Sequence, residues 1–170
     1  TVIAVDTAAA KLEVARRFGA TDVVDASQVD PVEAIRALTG GNGADVVIDA
    51  VGSADSIEAA IGMCRPRGRV ILVGMPGVVD VDLTALWHRE TELIGTYTYG
   101  TEELADGRRT TSYELAFELA RKVPFDRMVS ATYPLARYVE ALAHAAEAGS
   151  RGGVKIAFDM RNEKRRIPTD

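Results

Sequence analysis

Apolar positions along the first hundred residues fall into short Val/Ile-rich runs separated by segments whose apolar residues recur every three or four positions. Strands buried on both faces read as near-continuous apolar runs, and crossover helices carry a 3.6-residue stripe, so the pattern predicts a parallel α/β sheet with helices over both faces. The first strand runs from Val2 to Asp6. A helix with Ala8, Leu12 and Ala15 inward follows and stops at Gly19, a residue that tolerates the left-handed helix end. A short strand, Asp22 to Asp25, precedes a helix that starts at Pro31, where a missing N–H costs nothing, and ends before Gly40 and Gly41. The next strand is Ala44 to Ala50. Ser53 then caps a helix whose buried stripe carries Ile57, Ala60, Ile61 and Cys64, broken by Pro66 and Gly68 ahead of strand Arg69 to Val73. Strand Glu92 to Tyr97 closes this half.

Beyond Gly100 the helices lengthen. Thr111 and Glu114 have capping-box spacing for a helix burying Leu115, Ala116 and Leu119. A strand near Met128 to Tyr133 leads to a helix with Val139, Leu142, Ala143 and Ala146 on one face, ended by Gly149, and Val154 to Phe158 is the last strand. This change of texture divides the chain into residues 1–99, residues 100–159 and a tail at 160–170.

With 170 residues, of which 47% are hydrophobic and 26% charged, the chain can bury one sizeable core. No apolar run approaches a membrane span and the N-terminus lacks signal-peptide features, so no membrane partner and a cytoplasmic location are expected. A net charge of −5 argues against nucleic acid, whose binders concentrate positive charge to release counterions. Cys64 is the single cysteine and His88 and His144 the only histidines, so no zinc-ligand spacing occurs. Cys64 reads as a core residue, and the histidines as surface or linker residues.

Asp6 stands at the carboxyl end of a strand, where an acid in a Rossmann unit accepts hydrogen bonds from the adenosine ribose. Its charge would repel a 2′-phosphate, no Arg or Lys lies at Thr7 to Ala10 to offset it, and Lys11 is in reach of the ribose, so NAD is favoured over NADP. Asp6 as a plain helix N-cap beside a solvated Lys11, or as the ribose-holding acid of a methyltransferase, fits these residues equally well.

The stretches GNGADVVIDAVGS and RPRGRVILVGMPG, followed by LIGTYTYG, resemble the medium-chain dehydrogenase/reductase family, nearest its zinc-dependent alcohol, polyol and threonine dehydrogenases. The resemblance runs from Thr1 to about Phe158. It implies that Asp6 and Lys11 hold the adenosine ribose and that Ala50, Val51 and Gly52 line the cleft near the riboses. Val73 and Gly74 would end a strand beside the nicotinamide, and main-chain groups of Val73, Thr96 and Thr98 would bind its carboxamide with Tyr97 close by. Such contacts fix one ring face for hydride transfer. Arg151 and Lys155 are weak candidates for the pyrophosphate.

The family's G-x-G-x-x-G loop lies about 20 residues before the ribose acid, which places it upstream of Thr1, with the zinc-binding catalytic domain further upstream. The sequence therefore reads as a C-terminal half: an incomplete doubly wound sheet holding family strands 2–6, with no catalytic or metal-binding residue of its own. In the order 3-2-1-4-5-6 the missing strand 1 leaves a gap between strands 2 and 4. The implied activity is hydride transfer between an alcohol or polyol and NAD, with zinc only in the missing domain. The implied partners are a small alcohol, the missing half and further copies meeting around Val78 to Glu92, so the apolar faces of the Thr111 and Ala136 helices are expected to be partly unsatisfied in this chain alone or covered by oligomer contacts. A non-catalytic complementation module and the zinc-free NADPH quinone or enoyl reductase branch are the alternatives.

Overall fold

Pro31, Ser53 and Gly19 set the helix boundaries much as the sequence implies. The computed structural model describes residues 1–149 and 153–161, in which strands and helices alternate through the first half. The order is β1 (Ile3–Asp6), α1 (Ala9–Arg17), β2 (Asp22–Asp25), α2 (Pro31–Leu38), β3 (Ala44–Asp49), α3 (Ala54–Met63), β4 (Cys64–Leu72), α4 (Thr84–His88) and β5 (Glu92–Gly95). There follow β6 (Thr101–Glu103), β7 (Arg109–Thr111), α5 (Ser112–Ala120), β8 (Val129–Tyr133), α6 (Tyr138–Ala148) and β9 (Lys155–Phe158). Asp30 caps α2 by accepting the Glu33 N–H at 2.9 Å, and Gly19 takes φ +104° behind α1.

The described strands pair as β1-β2, β3-β4-β5, β6-β7 and β8-β9. No pairing among them joins β1 or β2 to β3. The chain divides into one unit of residues 24–113 and another of residues 1–23 together with 114 onward.

In the first of these units β3, β4 and β5 run parallel, with Val47, Val70 and Leu93 in one register row and Ile48, Ile71 and Ile94 in the next. Alternation across the pleat sends these rows to opposite faces. Val47, Val70 and Leu72 meet α3 and the Val81–Leu86 segment, forming a core with Ile57, Ala60, Ile61 and Cys64. Val32 of α2 lies so near Gly62 of α3 that a methyl at Gly62 would come within 2.9 Å of it. In the row of Ile48, Ile71 and Ile94, Ile48 is 66% exposed and Ile71 half-buried.

Cys64 departs from its expected place. It is not on the helix stripe but is the extended residue after α3, with φ −72° and ψ 142°. Pro66 disfavours helical backbone at the residue before it, and Arg89 captures the carbonyls of Ile61, Gly62 and Cys64. The expected strand at Arg69 is joined to Cys64 through a bulge, in which the register passes from Ala44↔Cys64 to Val46↔Arg69. Cys64 remains fully buried, as a core residue should, and desolvation raises its thiol pKa against the opposing pull of Arg89.

Thr91, just before β5, is 6% exposed and its hydroxyl has no hydrogen-bond partner. Thr91→Val is expected to stabilise the protein by about 1 kcal/mol, because a shape-matched side chain removes an unsatisfied polar group. A urea titration reads this as a higher midpoint at unchanged slope.

In the other unit, β8 and β9 pair in parallel beneath α6. Phe18 stacks on Phe125 at 6.3 Å. The buried positions of α6 are Ala141 and Ala148, and His144 between them shares a 2.9 Å hydrogen bond with the Tyr133 hydroxyl. Val139 and Leu142 are more than 60% exposed and no residue of α5 is buried, Leu115, Ala116 and Leu119 included, as expected of apolar faces left partly unsatisfied in this chain alone. His144, expected at the surface, is instead half-buried on the strand side of α6. The β6-β7 hairpin, with Tyr99 on Tyr113 at 5.0 Å, was not foreseen.

Candidate functional site

Asp6 ends β1, and its carboxylate turns back on the chain. Oδ1 accepts the Ala8 N–H at 2.9 Å, while Oδ2 lies 4.0 Å from Lys11 Nζ. Ala8 occupies the N-cap of α1 and offers no side-chain cap, so Asp6 closes an Asx-type turn ahead of the helix. About a third of its side chain stays exposed. The carboxylate therefore keeps acceptor capacity beside a cation, which suits a vicinal diol.

The remaining candidates lie at the carboxyl ends of β3, β4 and β5, where open α/β sheets bind ligands. Val51 and Gly52 leave β3 in a tight turn with Gly52 at φ +82°. Ser53 then starts α3 with a capping box, exchanging hydrogen bonds with Ser56. Gly74 lies against this turn backbone to backbone. A Cβ on Gly74 would fall 2.5 Å from Gly52 N and Val51 C, and one on Gly52 would fall 2.9 Å from Pro76 N. Only glycine permits this approach. Val51 is 71% exposed and Tyr97 85% exposed, so both rim the turn without being packed.

Asp49, the last residue of β3, organises the turn and was missed by sequence reasoning. It is 5% exposed. Its Oδ1 accepts Val51 N–H at 3.0 Å, and its Oδ2 accepts Gly52 N–H at 3.1 Å and the Ser56 hydroxyl at 3.3 Å. Its carbonyl accepts Val73 N–H at 2.8 Å and Gly74 N–H at 2.9 Å. An aspartate closing an apolar strand three residues before glycine is an Asx-turn signal, and it was there to be read.

The main-chain role expected of Val73 and Thr96 is narrowed by these bonds. Val73 N–H is committed to Asp49, and both the N–H and hydroxyl of Thr96 point to the Leu72 carbonyl at 3.0 and 2.9 Å. What these residues can offer a ligand is carbonyl oxygen. Thr98 has φ +41°, an uncommon conformation for a β-branched residue, and turns the chain out of β5. Ala50 is exposed within the same turn. Lys155 begins β9 with an exposed side chain, and Arg151 lies outside the described residues. Among the described residues no group of three or more His, Cys, Asp or Glu side chains is placed to hold a metal, so no step through zinc is derived from them. No described helix is long and apolar enough to cross a membrane.

The family described as zinc-binding dehydrogenase matches residues 1–113. A protein of Rhizobium meliloti named as a putative D-xylulose reductase is 32% identical over 94% of this chain and 44% of its own length. A probable zinc-binding alcohol dehydrogenase of Mycobacterium tuberculosis is 32% identical over 98% of this chain and 40% of its own length. Among solved structures, the zinc-dependent alcohol dehydrogenase 2 of Streptococcus pneumonia superposes with a TM-score of 0.74 at 27% identity, covering 92% of this chain and 44% of that one. The chain thus spans less than half the length of the relatives it matches. With the strand order, the Gly52–Gly74 contact and the extent of these matches taken together, the chain belongs to the zinc-binding dehydrogenase family.

Proposed function

We propose that this chain supplies the dinucleotide-binding part of an NAD-linked dehydrogenase acting on a small alcohol or polyol. The observation that carries the reading is the backbone-to-backbone contact of the Gly52 turn with Gly74, a smooth wall at the carboxyl ends of parallel strands against which a flat ligand can lie. Asp6 holds the adenosine ribose through its free acceptor sites, with Lys11 beside it. Ala50, Val51 and Gly52 line the path of the cofactor. The carbonyls of Val73 and Thr96, with Thr98, orient the carboxamide, and Tyr97 closes over it. The bound dinucleotide supplies the hydride acceptor; these residues fix which face of its ring is presented. In this reading zinc and substrate are held by residues other than those described, copies of the protein associate around Val78 to Glu92, and the enzyme works in the cytoplasm.

Replacing Asp6 tests the reading in the complete protein. Asp6→Ala is expected to raise the KM for NAD about tenfold, the loss of one charge-assisted hydrogen bond or somewhat more. The preference for NAD over NADP should narrow as well, because the charge opposing a 2′-phosphate is gone. Steady-state kinetics with both cofactors checks it, and unchanged NAD kinetics would contradict the assignment.

A further inference from the structure

Five backbone N–H groups of this wall are turned inward. Asp49 takes those of Val51 and Gly52 on its carboxylate and those of Val73 and Gly74 on its carbonyl, and Leu72 takes that of Thr96. Successive N–H groups in a tight turn after a strand would otherwise make a nest for an anion. Here the nest already contains one, the carboxylate of Asp49, buried and donated to by Ser56 as well.

We infer that Asp49 is a positioning residue that sets the spacing of the two backbone walls and, as an internal anion, reserves this part of the cleft for neutral ligand groups. The inference rests on the dinucleotide reading and refines it. Committed in this way, these five N–H groups are not offered to phosphate, while the neighbouring carbonyl oxygens of Val73 and Thr96 can accept hydrogen bonds from hydroxyl or amide groups. Asp49 reaches both walls because side chain and main chain act in different directions: the carboxylate grips its own turn, and the carbonyl continues the β3–β4 ladder by one rung. An amide at position 49 would set an NH2 against one of the two N–H donors and loosen the turn on one side.

The test uses the complete protein, at a temperature where circular dichroism shows each variant folded. Asp49→Asn should raise the KM for the dinucleotide about tenfold, the equivalent of one charge-assisted hydrogen bond, while leaving the KM for the alcohol unchanged. In Asp49→Ala the N–H groups of Val51 and Gly52 are released, and inorganic phosphate should inhibit competitively against the dinucleotide about fivefold more tightly than in wild type. A residue that only stabilised the fold would move neither constant. Ser56→Ala keeps Asp49 but removes its hydroxyl donor together with half of the α3 capping box, so it is paired with Ser53→Ala, which breaks the box and spares Ser56. The dinucleotide KM should rise about threefold in Ser56→Ala, a fraction of the same interaction, and stay unchanged in Ser53→Ala; the pair decides the question if the Asp49 variants do not fold. Normal dinucleotide kinetics in wild type with unaltered KM in the variants would overturn the role of Asp49 alone. A wild-type protein whose turnover needs no dinucleotide would overturn the underlying reading and this inference with it.

Discussion

Gly74→Ala is expected to destabilise the protein by about 3 kcal/mol, at the upper end of overpacking, and to abolish measurable dinucleotide binding. The added methyl would stand 2.5 Å from Gly52 N, 2.5 Å from Val51 C and 2.8 Å from Val51 N. All three atoms are backbone, so no rotamer change relieves the overlap. The turn can yield only by breaking the hydrogen bonds of Val51 and Gly52 to Asp49 or by lifting Gly74 off the Asp49 carbonyl. Either movement reshapes the wall proposed to receive the cofactor. Gly77→Ala is the natural control, since a methyl there meets nothing within 4 Å. Thermal denaturation with and without NAD reads both effects. A Gly74→Ala protein with wild-type stability and ligand-induced shift would show that the two strand ends do not need to touch.

Arg89→Ala is expected to cost about 3 kcal/mol as well, through the end of α3. The last carbonyls of a helix lack intrahelical partners, and here one guanidinium serves them. Nη1 lies 3.2 Å from both the Ile61 and Gly62 carbonyls, and Nη2 donates to Cys64 O. A cation at this end also meets the negative pole of the helix. Charge-assisted bonds to partly buried acceptors contribute more than neutral ones, and their loss leaves those carbonyls unpaired beside the core. Arg89→Lys should recover only part of the stability, because an ammonium cannot span three acceptors in a planar fork. Equilibrium unfolding in urea measures all three proteins. A loss below about 1 kcal/mol for Arg89→Ala, the scale of an exposed contact, would mean that water replaces the guanidinium without penalty.

The first hundred residues were legible because local signals and tertiary demands agree there. Pro31, Ser53 and Gly19 mark helix ends by their own backbone chemistry, and the strands β1 to β5 fall where the apolar runs are. Cys64 was misplaced because helical spacing continues past Met63 in sequence, while the interaction that ends the helix comes from Arg89, twenty-five residues away. The second half was harder for a different reason. On α6 the larger apolar side chains Val139 and Leu142 are exposed and only Ala141 and Ala148 are buried, so hydrophobicity by itself does not tell which face this chain covers. Of the site, the glycines and Asp6 announce themselves by residue type and position. Asp49 carried a signal too, an acid closing an apolar strand three residues before Gly52, but the amides it meets come from two strand ends that only the fold brings together.

Cys64 gives the protein a built-in clock. Its sulfur is sealed between α3 and the bulge of β4, where even a methyl on Gly68 would lie 2.5 Å from it. Burial holds it in the unreactive thiol form. A thiol reagent must therefore wait for the helix to lift from the sheet, and modification of Cys64 times that opening.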